Sequence, residues 1–296
     1  MQNRKVSKVT DAALPAELRR ARLAERVREG GLLRVADAAA EFGVSEVTIR
    51  SDLGQLEAAG LVRRVHGAAL PVPGGPREEP VERVSARDAA AKRAIGRRAA
   101  ALVDSGTSVL LDVGSTTLAV AHALVDRADR GELGELVVVT NGLTIALALE
   151  PAVPRITVVL TGGTLRPLQH SLVDPGASES IAGLHVDLAI LGCNGIDEGG
   201  RITNLNLAEA EVKRAMIAAS AAHLVVAESA KLGARHLGTI ALADAATTLV
   251  TAGPWTDVSA ATAAALTALG ARVLRADGAQ VVEERREAPH PETTRR

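Results

Sequence analysis

The stretch Phe42-Gly43-Val44-Ser45-Glu46-Val47-Thr48-Ile49-Arg50-Ser51-Asp52-Leu53 decides how the first quarter of the chain folds. It follows an alanine-rich run, Val35 to Phe42, whose composition favours a short helix. Gly43 and Val44 then make a tight turn, and glycine suits the left-handed backbone that closes a helix. Ser45 stands as the N-cap of a further helix running to about Ala59, with Gly60 ending it. Upstream, residues 17–29 place Leu18, Leu23 and Val27 among charges, an amphipathic helix stopped by Gly30-Gly31. Helix, turn and capped helix at this spacing form a helix-turn-helix pattern, whose second helix enters the major groove of duplex DNA. The alternative is a small helical bundle with a solvated charged face. Val47, Ile49, Leu53 and Leu56 are expected on the buried side of the capped helix. Ser45, Glu46, Thr48, Arg50 and Ser51 fall at its exposed start and are types that reach phosphates and base edges. Leu61 to Leu70 reads L-V-R-R-V-H-G-A-A-L. Gly67 can turn a short hairpin there, a wing that carries the cations Arg63 and Arg64.

Working outward, Pro71 to Pro80 reads P-V-P-G-G-P-R-E-E-P, which sustains neither a helix nor a central strand. Charge changes across it: residues 1–70 hold 12 Lys/Arg and 9 Asp/Glu, the remainder 22 and 26. These features divide the chain into a disordered N-terminus (1–14), a winged helix-turn-helix domain (15–70), a linker (71–84), a larger α/β domain (85–278) and a disordered tail (279–296). The tail is charged and contains proline.

Composition excludes several functions. The 296 residues are 47% hydrophobic but include no Tyr, one Phe (Phe42) and one Trp (Trp255). Base-stacking platforms for single strands and aromatic cages need more rings than that. The single cysteine, Cys193, excludes an internal disulfide framework and a multi-cysteine zinc site, and a reduced cytoplasm is the expected location. No apolar run approaches the roughly 18 residues of a membrane span. The polar, basic start, Met1 to Thr10, is not a secretory signal.

Beyond the linker, strand-like and helix-like segments alternate. Strands are expected at 109–112, 136–140, 156–160, 186–191, 224–227, 248–251 and 272–274, and helices at 87–103, 116–125, 143–149 and 207–221. Solid apolar strands alternating with helices indicate a mostly parallel sheet covered on both faces, which binds ligands at its carboxyl edge. Polar turns sit at that edge: Gly114-Ser115-Thr116-Thr117, Thr140-Asn141-Gly142, Thr161-Gly162-Gly163-Thr164, Gly192-Cys193-Asn194-Gly195-Ile196-Asp197 and Glu228-Ser229-Ala230-Lys231. Glycine and hydroxyls opening a helix suit a phosphate or carboxylate. Lysine is scarce, only Lys5, Lys8, Lys92, Lys213 and Lys231. The last three therefore stand out as compact point charges placed beside these motifs.

The string from Phe42 to Leu53, with Leu56-Glu57, Gly60-Leu61 and Arg64-Val65-His66-Gly67-Ala68, resembles the DNA-binding region of DeoR-family transcriptional regulators. That family more often has Arg or Lys at position 51 and Gly at position 68. Lys92 to Gly96, Asp112 to Thr117, Val139 to Asn141, Gly162-Gly163, Gly192 to Asp197, Ala210 to Lys213 and Ser229 to Lys231 resemble the same family's sensor domain, in family order. The resemblance implies a winged helix-turn-helix joined to a sensor domain similar to ribose-5-phosphate isomerase. It implies operator DNA and a phosphorylated sugar or polyol as partners, with His66 joining Arg63 and Arg64 at the DNA. It also implies that Gly114, Ser115, Thr116 and Thr117 hold the phosphate. Lys92, Asp112, Asn141, Gly162, Gly163, Asn194, Asp197, Lys213 and Lys231 complete the effector site. The family usually has Asp where this chain has Glu228, and Gly where it has Asp174. Operators mirror protein symmetry, so a homodimer or homotetramer is expected, with no cofactor, metal or membrane.

A sugar-phosphate isomerase fused to a DNA-binding domain is the rival reading. Related isomerases carry a Lys-Gly-Gly-Gly stretch after an Asp-containing loop, whereas this chain reads Arg201-Ile202-Thr203-Asn204-Leu205-Asn206. Asp197 and Glu211 then read as hydroxyl acceptors, and His170 and Cys193 as bland rather than nucleophilic.

Overall fold

The computed structural model describes residues 15–58, 61–71 and 79–276. The expected disordered ends, Gly60 and the middle of the expected linker lie outside these residues. In the N-terminal domain, α1 (Ala16–Gly30), α2 (Val35–Phe42) and α3 (Glu46–Ala58) surround a small sheet of β1 (Leu33–Arg34), β2 (Val62–Val65) and β3 (Ala68–Pro71). The sheet order is β1-β3-β2, all antiparallel. Gly31 and Gly43 close α1 and α2 at φ 71° and 63°, in the left-handed region that glycine enters without a Cβ clash. The Thr48 amide donates to Ser45 Oγ at 3.1 Å, the expected N-cap. Leu23, Val27, Ile49, Leu53 and Leu56 are fully buried around β3. Val47 is not among them: it is 72% exposed. It lies two residues, or about 200°, from Ile49 on the helix and so faces away from the core. Asp52 is buried instead, with Arg19 Nε at 2.6 Å and Arg20 at 3.5 Å, tying α3 to α1.

The larger domain carries α4 (Val81–Ala86), α5 (Ala89–Ala100), β4 (Ser108–Leu111), α6 (Ser115–Asp129), β5 (Leu136–Thr140), α7 (Leu143–Leu149) and β6 (Ile156–Leu160). Next come the hairpin of β7 (Thr164–Arg166) and β8 (Ser171–Val173), then α8 (Pro175–Ala182) and β9 (Val186–Gly192). The chain continues through β10 (Gly195–Ile196), β11 (Arg201–Asn204), α9 (Leu207–Ala218), β12 (Ser220–Glu228), β13 (Gly238–Leu242), β14 (Thr247–Ala252), α10 (Asp257–Ala268) and β15 (Arg272–Arg275). Seven strands form one parallel sheet in the order β15-β14-β12-β9-β4-β5-β6. They are the seven strands that the apolar runs indicate. Strand alternation feeds both faces: Val109 and Leu111 enter the core under α5 and α6, while Leu110 enters the core under α8 and α9. β10, β11 and β13 make a separate antiparallel sheet that the sequence pattern leaves unmarked, because β10 has only two residues and β11 holds one apolar residue, Ile202, among its four.

Three boundaries differ from expectation. The helix expected at 87–103 is shorter at both ends: α5 begins at Ala89, after the left-handed Asp88 (φ 48°), and ends at Ala100 in a turn, while the separate α4 precedes it. Both ends of the expected linker, 71–84, belong to regular elements. Pro71 ends β3, where its missing N–H costs no interior pairing, and Pro80 is the N-cap of α4. α4 packs against α6, so this domain begins before residue 85.

Candidate functional site

The exposed start of α3 and the β2–β3 hairpin form one candidate surface. Ser45, Glu46, Arg50 and Ser51 are exposed and Thr48 half-buried. Arg63, Arg64 and His66 are exposed on the hairpin. Ser45 Oγ and Thr48 Oγ1 lie 2.9 Å apart, so the cap residue and its partner present a shared hydroxyl pair. Arg50 is ion-paired with Glu46 at 2.6 Å, and both side chains are about half exposed, so the guanidinium can change partners at little cost. The Arg64 backbone amide donates to Glu57 Oε1 at 2.7 Å and fixes the hairpin to the end of α3. Val47 joins this surface and escaped the sequence reading. Counting one position each way from Thr48, rather than seeking an apolar stripe, would have found it.

The second candidate is a cavity of about 130 Å³ at the carboxyl edge of the parallel sheet. Gly114, Ser115, Thr116 and Thr117 line it at the start of α6, where the first amides of a helix lack intrahelical acceptors. Gly192, Cys193 and Asn194 line it after β9, Asn204 and Leu205 after β11, and Glu209 and Lys213 from α9. Lys231 closes one side, and Glu79, Val84 and Gln169 another. Asn206 caps α9 by accepting the Glu209 amide at 3.0 Å, which aims the first turn of that helix at the cavity.

Charge inside the cavity is paired. Lys213 and Asp112 form a buried ion pair, and Lys213 also donates to the Gly192 carbonyl at 3.1 Å. Burial works against the Lys213 ammonium, but the carboxylates of Asp112 and Glu209 more than compensate and raise its pKa. Burial in turn raises the Asp112 carboxyl, with Lys213 opposing. Glu209 accepts from Arg166 at 2.5 Å, Ser171 Oγ at 2.8 Å and Asn204 Nδ2 at 3.2 Å. Glu228 lies 3.1 Å from Lys92 and 3.0 Å from Lys231. Burial opposes its ionisation, but the two ammonium groups outweigh it and lower its pKa to about 2. Cys193 is buried and its thiol is raised to about 11, so it stays protonated and is a poor nucleophile at neutral pH.

Of the expected effector residues, Gly114, Ser115, Thr116, Thr117, Asn194, Lys213 and Lys231 meet at the cavity. The others do not line it. Asp112 lies behind Lys213. Asn141 is fully buried and accepts the Val113 amide at 3.1 Å, a staple between adjacent strand ends. Gly162 and Gly163 pack against α8, where a Cβ on Gly163 would strike the Val173 carbonyl. Asp197 organises its own turn, accepting from the Gly199 and Arg201 amides at 2.9 Å each. Lys92 borders a separate groove of about 350 Å³ between α5 and α6. His170 sits at a left-handed turn (φ 54°) 3.6 Å from Glu82, and its neighbour Gln169 lines the cavity instead. Glu209, unmarked in sequence, lies four residues before Lys213 and therefore on the same helix face, which was a usable signal. Glu79, Val84 and Gln169 carried none. Among the described residues no cluster of three His, Cys, Asp or Glu side chains is placed to hold a metal, and no helix is long and apolar enough to cross a membrane.

With both surfaces in view, comparison with known proteins is direct. Residues 19–72 match the DeoR-like helix-turn-helix domain, and residues 87–252 match the DeoR C-terminal sensor domain. The chain belongs to the DeoR family. DeoR-family relatives include the HTH-type transcriptional regulator GlpR of Haloferax volcanii, 35% identical, with 75% of this chain and 84% of the relative covered. The glycerol-3-phosphate regulon repressor of Escherichia coli K12 is 30% identical over 75% of this chain and 86% of its own. The transcriptional repressor AccR of Agrobacterium fabrum is 33% identical over 72% and 80%. Among solved structures, a D-ribose-5-phosphate isomerase in complex with phospho-erythronic acid aligns at a TM-score of 0.35 and 16% identity, covering 47% of this chain and 52% of that one. This DeoR-family protein is thus a transcriptional regulator with a helix-turn-helix DNA-binding domain and a mostly parallel α/β sensor domain.

Proposed function

We propose that this regulator is a cytoplasmic repressor of carbohydrate-metabolism genes that leaves its operator when a phosphorylated sugar or polyol fills the cavity of the sensor domain. The observation that carries this reading is the coexistence, in one chain, of an exposed helix-turn-helix surface and a cleft at the sheet edge lined by polar groups. The cavity is built from a helix N-terminus, two lysines and hydrogen-bonding side chains. In this reading Ser45, Glu46, Thr48, Arg50 and Ser51 face base edges and phosphates, with Arg63, Arg64 and His66 on the backbone. Gly114 to Thr117 take the phosphate, while Asn194, Lys213 and Lys231 take hydroxyls or phosphate oxygens. Lys92, Asp112, Asn141, Gly162, Gly163 and Asp197 support the site from behind. Two half-sites are read by a homodimer or homotetramer. The relatives' names, a glycerol-3-phosphate regulon repressor among them, support this effector class.

The isomerase reading needs a general base free to move a proton. Glu209 is the carboxylate nearest that role, but three donors already hold it, which suits an orienting acceptor better. Gel-shift titration of the chain's own upstream DNA tests the proposal. Specific retention that is lost on adding one member of a panel of sugar and polyol phosphates is the expected result. No specific retention at any salt concentration overturns it, and so does turnover of the releasing compound. Unphosphorylated sugars releasing the DNA equally well would remove the phosphate from the effector.

A further inference from the structure

We propose that Glu228 is a resident anion in the cradle at the start of α6, so that an entering phosphate group must displace its carboxylate from Thr116 and Lys231. The proposal rests on the reading of the cavity as the effector site and names what sets affinity there.

Glu228 ends β12 and is 6% exposed. Its Oε2 accepts from Thr116 Oγ1 at 3.3 Å and lies 3.0 Å from the Lys231 ammonium. Thr116 is the second residue of α6, where unshared amides and the helix dipole favour a negative group. Thr116 and Lys231 are also the hydroxyl and the outer cation that line the cavity. The other lining cation, Lys213, is already paired with Asp112. A carboxylate of the chain therefore uses the contacts a phosphate would seek, and any phosphate meets that charge at close range.

The displaced carboxylate has somewhere to go. Its Oε1 lies 3.1 Å from Lys92. A lysine has three donors, and Lys92 directs two of them to the carbonyls of Val84, at 2.5 Å, and Arg87, at 2.6 Å. Glu228 can thus surrender Thr116 and Lys231 and keep Lys92. Val84 belongs to α4, which also lines the cavity and follows directly on the segment from the DNA-binding domain. Exchange at Glu228 therefore acts on α4, the first helix described after that segment.

Isothermal titration of the full chain with inorganic phosphate at low ionic strength tests this, with Ser115→Ala marking the site. Glu228→Gln removes the charge and keeps the length, so it should bind phosphate at least tenfold more tightly than the wild type, and adding Ser115→Ala should abolish the gain. Glu228→Asp keeps the charge but is one methylene too short to reach both lysines. It should gain about threefold, and it carries the test if Glu228→Gln does not fold. Equal, Ser115-dependent affinity in wild type and variants would overturn the resident-anion role and leave the phosphate site standing. No phosphate binding by any of them would overturn both.

Discussion

The two candidate surfaces of this regulator are built in opposite ways. The helix-turn-helix face comes from about twenty consecutive residues, Ser45 to His66, presented outward on one capped helix and one hairpin. Its charges are exposed and loosely paired, as Arg50 with Glu46 shows. The sensor cavity draws on residues from Glu79 to Lys231, and its deepest charges are buried and paired with each other, as Lys213 with Asp112 shows. The contrast teaches that the same residue types do different work. A solvated ion pair is an exchangeable contact, whereas a buried one fixes architecture and sets the charge a ligand meets.

The sharpest way to break this contrast is Lys213→Met. It leaves the Asp112 carboxylate without its cation and should destabilise the sensor domain by about 3–5 kcal/mol. Pairing it with Asp112→Asn should restore part of the loss. A change under about 1 kcal/mol in urea unfolding would mean that the pair behaves like a surface contact.

Next in size is the pH response of Glu228. Its carboxyl is held near 2 against an ordinary value near 4.5, so the stabilisation is complete above pH 4.5 and is lost as pH falls toward 2. Glu228→Gln should cost about 2–3 kcal/mol at pH 7, with the gap to wild type closing between pH 4.5 and 2. A gap that stays constant across that window would detach the effect from ionisation.

On the outer surface the effects should be smaller. Ser45→Ala removes the cap of α3 and should cost about 1 kcal/mol in the N-terminal domain. The sensor-domain melt should not move, and a shift in both would show that the domains unfold together. Smallest in stability is Arg50→Ala. It should leave melting nearly unchanged while lowering the salt dependence of DNA binding by about one phosphate contact. An unchanged slope would remove Arg50 from the phosphate contacts.

Legibility follows the same division. The capped helix, its glycine stops and the hairpin were readable because each rests on near neighbours: Ser45 with Thr48, Gly43 after Phe42, Arg63 and Arg64 before Gly67. Val47 is the exception: its apolar type points to the core, whereas helix geometry turns it outward. All seven parallel strands were readable, since two covered faces demand unbroken apolar runs. The cavity was half readable. The turn Gly114 to Thr117, Asn194, Lys213 and Lys231 meet there because the carboxyl ends of a parallel sheet share one edge. Asn141, Gly163 and Asp197 occupy the same edge in sequence terms but spend their polar atoms or their small size on neighbouring backbone.

By itself the sequence determined the two-domain plan, the recognition helix with its cap, and the edge of the sheet where a ligand would lie. These depend on local propensity and on a two-residue strand period. Only the tertiary structure decided that α4, inside the expected linker, walls the cavity, and that Lys92 and Lys231 converge on Glu228. Those contacts join positions up to 136 residues apart, and which side chains satisfy a buried charge is set by packing distance rather than by spacing along the chain.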